Sequence, residues 1–147
     1  MCRHEERGDI AKLGDFSSSS ISLPTDEDPD PTLDLLGYTP LWIAPEYNGP
    51  APFSNLVQSD VFAFGLLIWT IVCNGDRFFA SIKLDNEEEL KQLKDLKAAP
   101  KLLEIAIMMS SRHCKEDDLM MIAELYVSTL RGPTERDFGR ALRVLRR

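Results

Sequence analysis

Ser59-Asp60-Val61-Phe62-Ala63-Phe64-Gly65-Leu66-Leu67-Ile68-Trp69-Thr70-Ile71-Val72-Cys73 contains the longest apolar run of the chain. Its apolar residues cover every side of a helical turn, and such a helix belongs in the centre of a core. Ser59 or Asp60 supplies a side-chain cap at its start. Gly75 follows where a left-handed residue would end it. The pattern predicts a buried helix from Val61 to about Asn74. The run Val61–Cys73 is shorter than the roughly 20 residues of a bilayer span, so no membrane span is expected.

Helical texture continues downstream. Asn86-Glu87-Glu88-Glu89 reads as a capping box opening an amphipathic helix, with Leu90, Leu93 and Leu96 at helical spacing. Pro100 suits the first turn of a helix reaching about Met109. Lys115–Asp118 is a charged break in which Asp117 or Asp118 can cap the next helix. Leu119, Ile122, Ala123, Tyr126 and Leu130 make that helix's apolar face. Thr134 and Asp137 suggest a final cap, before a last helix carrying Phe138, Ala141, Leu142 and Leu145.

Upstream the texture is different. Residues 1–9 are polar and charged, and a frayed terminus is expected there. Ile10–Leu13 is a short candidate strand ending at Gly14. Residues 17–34, with Ser17–Ser20 and the acidic, proline-rich run Asp26–Pro31, cannot bury a core and read as a mobile loop. Gly49, Pro50 and Pro52 predict a further loop over 48–58. The expectation is one mainly α domain over 10–147.

Composition narrows the function. The 147 residues are 44% apolar, as in ordinary globular proteins, and carry a net charge of −7. An acidic chain lacks the basic face that nucleic-acid binding needs. Cys2, Cys73 and Cys114 form no disulfide framework and show no metal-ligand spacing, which suits a reducing compartment. No signal peptide is visible, so a cytoplasmic protein is expected. His4 and His113 are isolated and read as surface residues.

Three motifs in order resemble the eukaryotic-type protein kinase domain. Leu13-Gly14-Asp15-Phe16-Ser17 is similar to the strand ending in Asp-Phe-Gly. Gly37-Tyr38-Thr39-Pro40-Leu41-Trp42-Ile43-Ala44-Pro45-Glu46 resembles the Gly-Thr-x-x-Trp-x-Ala-Pro-Glu stretch that closes the activation segment. Ser59–Trp69 is similar to the start of the family's central helix. Arg131-Gly132-Pro133-Thr134 resembles the Arg-Pro-Thr step before the last helix, with one extra glycine. The resemblance covers about residues 10–147 and implies the C-terminal helical lobe of a kinase-like fold, with a short N-terminal strand and a long activation-segment-like loop.

The resemblance also implies roles. Asp15 matches the aspartate that holds Mg²⁺ on the ATP phosphates, and Phe16 matches the phenylalanine packing between the lobes. Ser17 replaces the glycine and removes its easy access to positive φ. Gly37, Tyr38, Thr39, Pro40 and Trp42 belong to the floor that receives a substrate peptide, and Thr39 leans toward serine/threonine substrates. Tyr38 and Thr39 are candidate phosphate acceptors. Glu46 matches the carboxylate of a buried ion pair, with Arg131 as its partner and Arg136 in reserve. Asp60 matches the carboxylate that accepts bonds from the catalytic-loop backbone. Leu67 and Ile71 match positions packing beneath the adenine-side core.

The 147 residues contain no His-Arg-Asp-x-x-x-x-Asn catalytic loop, glycine-rich phosphate loop or strand lysine. In the family these lie mostly in an N-terminal lobe, which would precede residue 1. The expectation is therefore a truncated kinase domain, inactive alone, with ATP and Mg²⁺ only by resemblance. A non-catalytic kinase-like module that binds protein partners is the alternative. An unrelated helical adaptor is the reading outside the family.

Overall fold

In a computed structural model, described for residues 24–76, 79, 86–98 and 101–146 and for the backbone of 2–4 and 8–10, helices dominate. The order is β1 (Cys2–His4), β2 (Gly8–Ile10), β3 (Thr32–Leu33), β4 (Ala51–Pro52), α1 (Phe53–Val72), α2 (Glu87–Ala98), α3 (Lys101–Ser110), α4 (Glu116–Thr129) and α5 (Phe138–Leu145). β1 and β2 form an antiparallel hairpin, with Cys2 opposite Ile10. That pairing lies where a frayed terminus was expected, and it precedes the expected strand Ile10–Leu13, whose residues 11–13 lie outside the described residues. β3 pairs antiparallel with β4, Thr32 opposite Pro52.

The central helix starts eight residues earlier than its sequence suggests. α1 begins at Phe53, directly after Pro52, so Ser59 and Asp60 lie within it and cap nothing. Two prolines and a glycine made 48–58 read as a loop, but residues 53–58 contain no breaker. The cap comes from far away in sequence. Asp30 Oδ1 accepts from the Ser54 backbone N–H at 2.8 Å, Asp30 Oδ2 accepts from the Ser54 hydroxyl at 2.7 Å, and Pro31 O accepts from Phe53 N–H at 2.9 Å. These bonds satisfy amides that a helix start otherwise leaves open.

The Ser54 bonds, backbone first, hold the Asp30 carboxyl below its ordinary value. The cap is therefore intact above the ordinary carboxylate range and is lost as pH falls through that lowered value. The expected mobile loop thus has an anchored end: residues 24–34 carry a Thr25–Asp28 turn, the Asp30 cap and β3.

α1 stops through two left-handed residues, Asn74 (φ 51°) and Gly75 (φ 91°), with Gly75 N–H donating to Thr70 O. Asn86 Oδ1 accepts from Glu89 N–H, and Asp137 Oδ1 accepts from Arg140 N–H, so both caps stand where the sequence puts them. Neither Asp117 nor Asp118 is a cap. Lys115 holds that position, and both aspartates lie in the first turn of α4, where negative charge suits the helix dipole.

The core gathers Phe62, Leu66 and Trp69 of α1 and its C-cap Cys73 with Leu93 of α2, Leu102 and Ala106 of α3, Ile122 and Tyr126 of α4 and its C-cap Leu130. A smaller cluster joins Ile68 to Leu125, Ala141 and Val144, seating α5. At twenty residues α1 meets the length and composition of a bilayer span, so length no longer argues against one. Nor is α1 buried all round. Leu67 is 44% exposed and Ile71 69% exposed; the resemblance implies that they pack against segments the 147 residues do not contain.

Gly65 marks a close approach of α1 to α4. A Cβ there would lie 2.6 Å from Leu130 Cδ2 and 2.8 Å from Thr129 Cβ, and would press on the Thr129 hydroxyl. Gly65→Ala gains about 1 kcal/mol of helix propensity but overpacks the contact by about 1–3 kcal/mol. A net loss is expected, read as a lower urea midpoint. A stabilised variant would show that α1 and α4 part easily.

Candidate functional site

Residues 37–48 run as a half-exposed ribbon between the start of α1 and the side of α2. Proline and backbone turns fix its path: Trp42 and Ile43 N–H both donate to Thr39 O, and Tyr47 N–H donates to Ala44 O. Gly37, Tyr38 and Thr39 are exposed, while Pro40 and Trp42 are half-buried. The Tyr38 ring meets the Tyr47 ring edge-on at 5.3 Å, and Tyr47 OH donates to Asp34 Oδ1 at 3.4 Å. Gly37, Tyr38, Thr39 and Trp42 face Ser59, Asp60 and Ala63 of α1 across a groove of about 490 Å³. The floor residues named from sequence therefore share one surface with Asp60.

Three ties hold this ribbon from behind. Ala44, fully buried, donates its N–H to Ser59 Oγ at 3.3 Å. The second tie is Glu46 with Arg136. Arg136 Nη1 donates to Glu46 Oε1, and Nη2 donates to Oε2 at 3.1 Å. The same guanidinium donates to Gln58 O at 2.9 Å and, through Nε, to Arg131 O at 2.7 Å, and it lies 4.7 Å over the Phe62 ring.

This arrangement corrects the expected partner. Arg131 is exposed and pairs with Glu135 on its own turn. The turn at Gly132–Glu135, closed by Glu135 N–H to Gly132 O, reverses the chain and brings Arg136 rather than Arg131 beneath Glu46. Arg131 contributes only its carbonyl.

The third tie was not read from sequence. Lys97 of α2 is only 3% exposed, and its Nζ donates to Pro40 O and Ile43 O, each at 2.8 Å. One turn earlier, Lys94 Nζ donates to Tyr47 O at 2.9 Å and to Asn48 Oδ1 at 2.8 Å. A signal existed: Lys97 continues the helical face of Leu90 and Leu93, where an apolar residue is the rule. Burial, with a smaller push from Lys94, lowers the Lys97 pKa to about 7. Asp60 is surface-exposed, yet the protein around it desolvates its carboxyl enough to raise its pKa.

Asp15 and Phe16 lie outside the described residues. Among the described residues no group of three or more His, Cys, Asp or Glu could hold a metal ion.

The sequence matches the family described as protein tyrosine and serine/threonine kinase over residues 5–125. No curated protein and no solved structure matches it.

Removing one partner of a buried ion pair costs about 3–5 kcal/mol, whereas an exposed pair is worth about 0–1 kcal/mol. Arg136 has a side chain only 1% exposed, so Arg136→Ala is expected to fall in the first range and Arg131→Ala in the second. Urea midpoints of the two variants check this, and equal losses would refute the assignment.

Lys97 gives a pH test. Its folded value, about 7, lies below the ordinary 10.5, so the unfolded chain binds the proton more tightly. The fold then carries the full cost of the buried charge below pH 7 and sheds it as pH rises toward 10.5. Stability measured by urea midpoint is expected to rise across that window relative to Lys97→Met. Parallel pH profiles for the two proteins would show Lys97 to be no contributor.

Proposed function

Because the chain belongs to the protein tyrosine and serine/threonine kinase family, we propose that it forms the helical, substrate-receiving part of a protein kinase domain and transfers no phosphate by itself. The family uses ATP with Mg²⁺ and acts on proteins. The observation that carries the reading is the floor itself. Residues 37–48 are fixed through Ser59, Arg136 and Lys97, while their outer face stays open beside Asp60. A segment held that firmly from behind is suited to receive an extended peptide at low ordering cost.

Transfer needs more than a floor. It requires a base for the hydroxyl, a lysine on the phosphates and positioned metal. The 147 residues contain no catalytic-loop motif and no glycine-rich loop to supply them. Thr39 on the open face supports serine or threonine, rather than tyrosine, as the receiving residue.

A second reading, a non-catalytic protein-binding module, is favoured by the exposed Leu67 and Ile71, apolar side chains on a helix otherwise built into a core. The two readings share the floor and an inactive isolated chain, and differ in whether the floor serves phosphate transfer when the catalytic parts are supplied.

Incubating the chain with radiolabelled ATP, Mg²⁺ and serine-, threonine- or tyrosine-containing peptides tests the inactivity and the floor that both readings share. No incorporation is expected, whereas Trp42, half-buried at the floor, is expected to change its fluorescence as a serine or threonine peptide is added. Incorporation that Asp15→Ala abolishes would overturn the inactivity of the chain. Equal response to tyrosine peptides would overturn the role given to Thr39.

A further inference from the structure

Two thiols meet at the buried end of α3. Ser110, the last residue of that helix, is fully buried. Its hydroxyl shares a hydrogen bond with Tyr126 OH at 2.8 Å and lies 3.8 Å from Cys73 Sγ. Its carbonyl accepts from Cys114 Sγ–H at 2.9 Å and from Cys114 N–H at 3.2 Å. The two sulfurs are thus held to the two oxygens of one serine. Cys73, the C-cap of α1, belongs to the core cluster against which Cys114 packs, and both thiols are free.

The two differ in access. Cys114 is half-buried, and Ser111, Arg112, His113 and Lys115 around it on the α3–α4 turn are exposed, so a small molecule can reach it. Cys73 has no exposed surface and is reached only through a neighbour. Burial, then the Asp118 carboxylate and Cys73, raises the Cys114 pKa. The effect of Cys73 on Cys114 is a second sign that the sulfurs lie near each other. A raised pKa leaves little thiolate at neutral pH and makes exchange slow, but the reduction potential and not the rate fixes which form is stable.

We propose that Cys73 and Cys114 are a reversible dithiol–disulfide pair that oxidised glutathione closes. The Cys114 thiolate attacks one sulfur of oxidised glutathione, and one glutathione thiolate leaves. Cys73 loses its proton and attacks Cys114 Sγ, and the second glutathione thiolate leaves. Two protein thiols are oxidised, one small disulfide is reduced to two thiols, and the protons lost by the cysteines are taken up by the leaving thiolates. Closure brings the two Cα atoms to about 4.4–6.8 Å and exchanges the Cys114 bond to Ser110 O for the S–S bond. Because its neighbours on the turn are exposed, Cys114 can shift without unpacking them. The crosslink encloses the segment that carries α2 and α3. It therefore ties to the end of α1 the helix from which Lys94 and Lys97 hold residues 37–48.

The full chain carrying Cys2→Ser keeps only the two thiols in question. Equilibrated with mixtures of reduced and oxidised glutathione, quenched with acid and read by intact mass and peptide mapping, it is expected to lose two hydrogens and to yield a single Cys73–Cys114 crosslinked peptide. The rate of closure is expected to rise about tenfold per pH unit while Cys114 is mostly protonated. The oxidised form is expected to unfold at a higher urea concentration than the reduced form. Cys73→Ser in the same background is expected to stop at a glutathione adduct on Cys114, which a packing role for Cys73 alone would not produce. The crosslink itself is read on the folded two-thiol chain, so the test stays decisive if Cys73→Ser fails to fold. No reaction at any glutathione ratio, a lasting glutathione adduct in the two-thiol chain, closure only in urea, or a disulfide joining two chains would each overturn the proposal.

Discussion

One guanidinium joins three parts of this protein that lie far apart in sequence. Arg136 reaches both oxygens of Glu46, the carbonyls of Gln58 and Arg131, and the face of Phe62. Those contacts belong to the end of the floor, the middle of α1 and the turn between α4 and α5. A buried charge is costly unless it is paired and its donors are used, and here the fork of donors meets a carboxylate in the bidentate manner that suits arginine. A lysine, a single point charge on a flexible stem, could not occupy the position on the same terms. With Arg136 in place, the ribbon 37–48 has a fixed lower edge from which its outer face can be presented.

Lys97 shows the contrast. It too is buried and also binds the ribbon, but through carbonyl oxygens rather than a carboxylate. Among the described residues no opposite charge offsets its desolvation, and its proton becomes easy to lose. The two cations therefore divide the work. Arg136 is a permanent charge in a matched site, and Lys97 is a donor whose charge state follows its surroundings. Both act on backbone or side chains of residues 37–48.

Much of this was legible in the sequence, and the failures share a cause. Helices α2 to α5 followed from apolar spacing, and the caps at Asn86 and Asp137 from local chemistry, because both depend on neighbours a few residues apart. The start of α1 was misread because its cap, Asp30, lies twenty-four residues away. The partner of Glu46 was misread because a single turn at Gly132–Glu135 decides which of two arginines points inward. Lys97 went unnoticed because a lysine on an apolar face looks like a flaw in the pattern until the carbonyls it serves are in view. For Leu67 and Ile71 the apolar composition of α1 suggested burial that its packing does not provide on that side.

The Asp30–Ser54 contact has a topological effect of its own. It closes the chain between those residues into a ring, with β3–β4 pairing just inside the seam. The floor is an arc of that ring and not a free strand hung between helices. Ring closure fixes the end-to-end distance once, and each doubling of the enclosed length then adds only about 0.6 kcal/mol. Extra residues in the exposed stretch at Asp34–Gly37 would therefore enlarge the ring at little cost while leaving its seam and the Glu46 anchor where they are. That stretch is therefore where the chain could take up added length without disturbing residues 37–48.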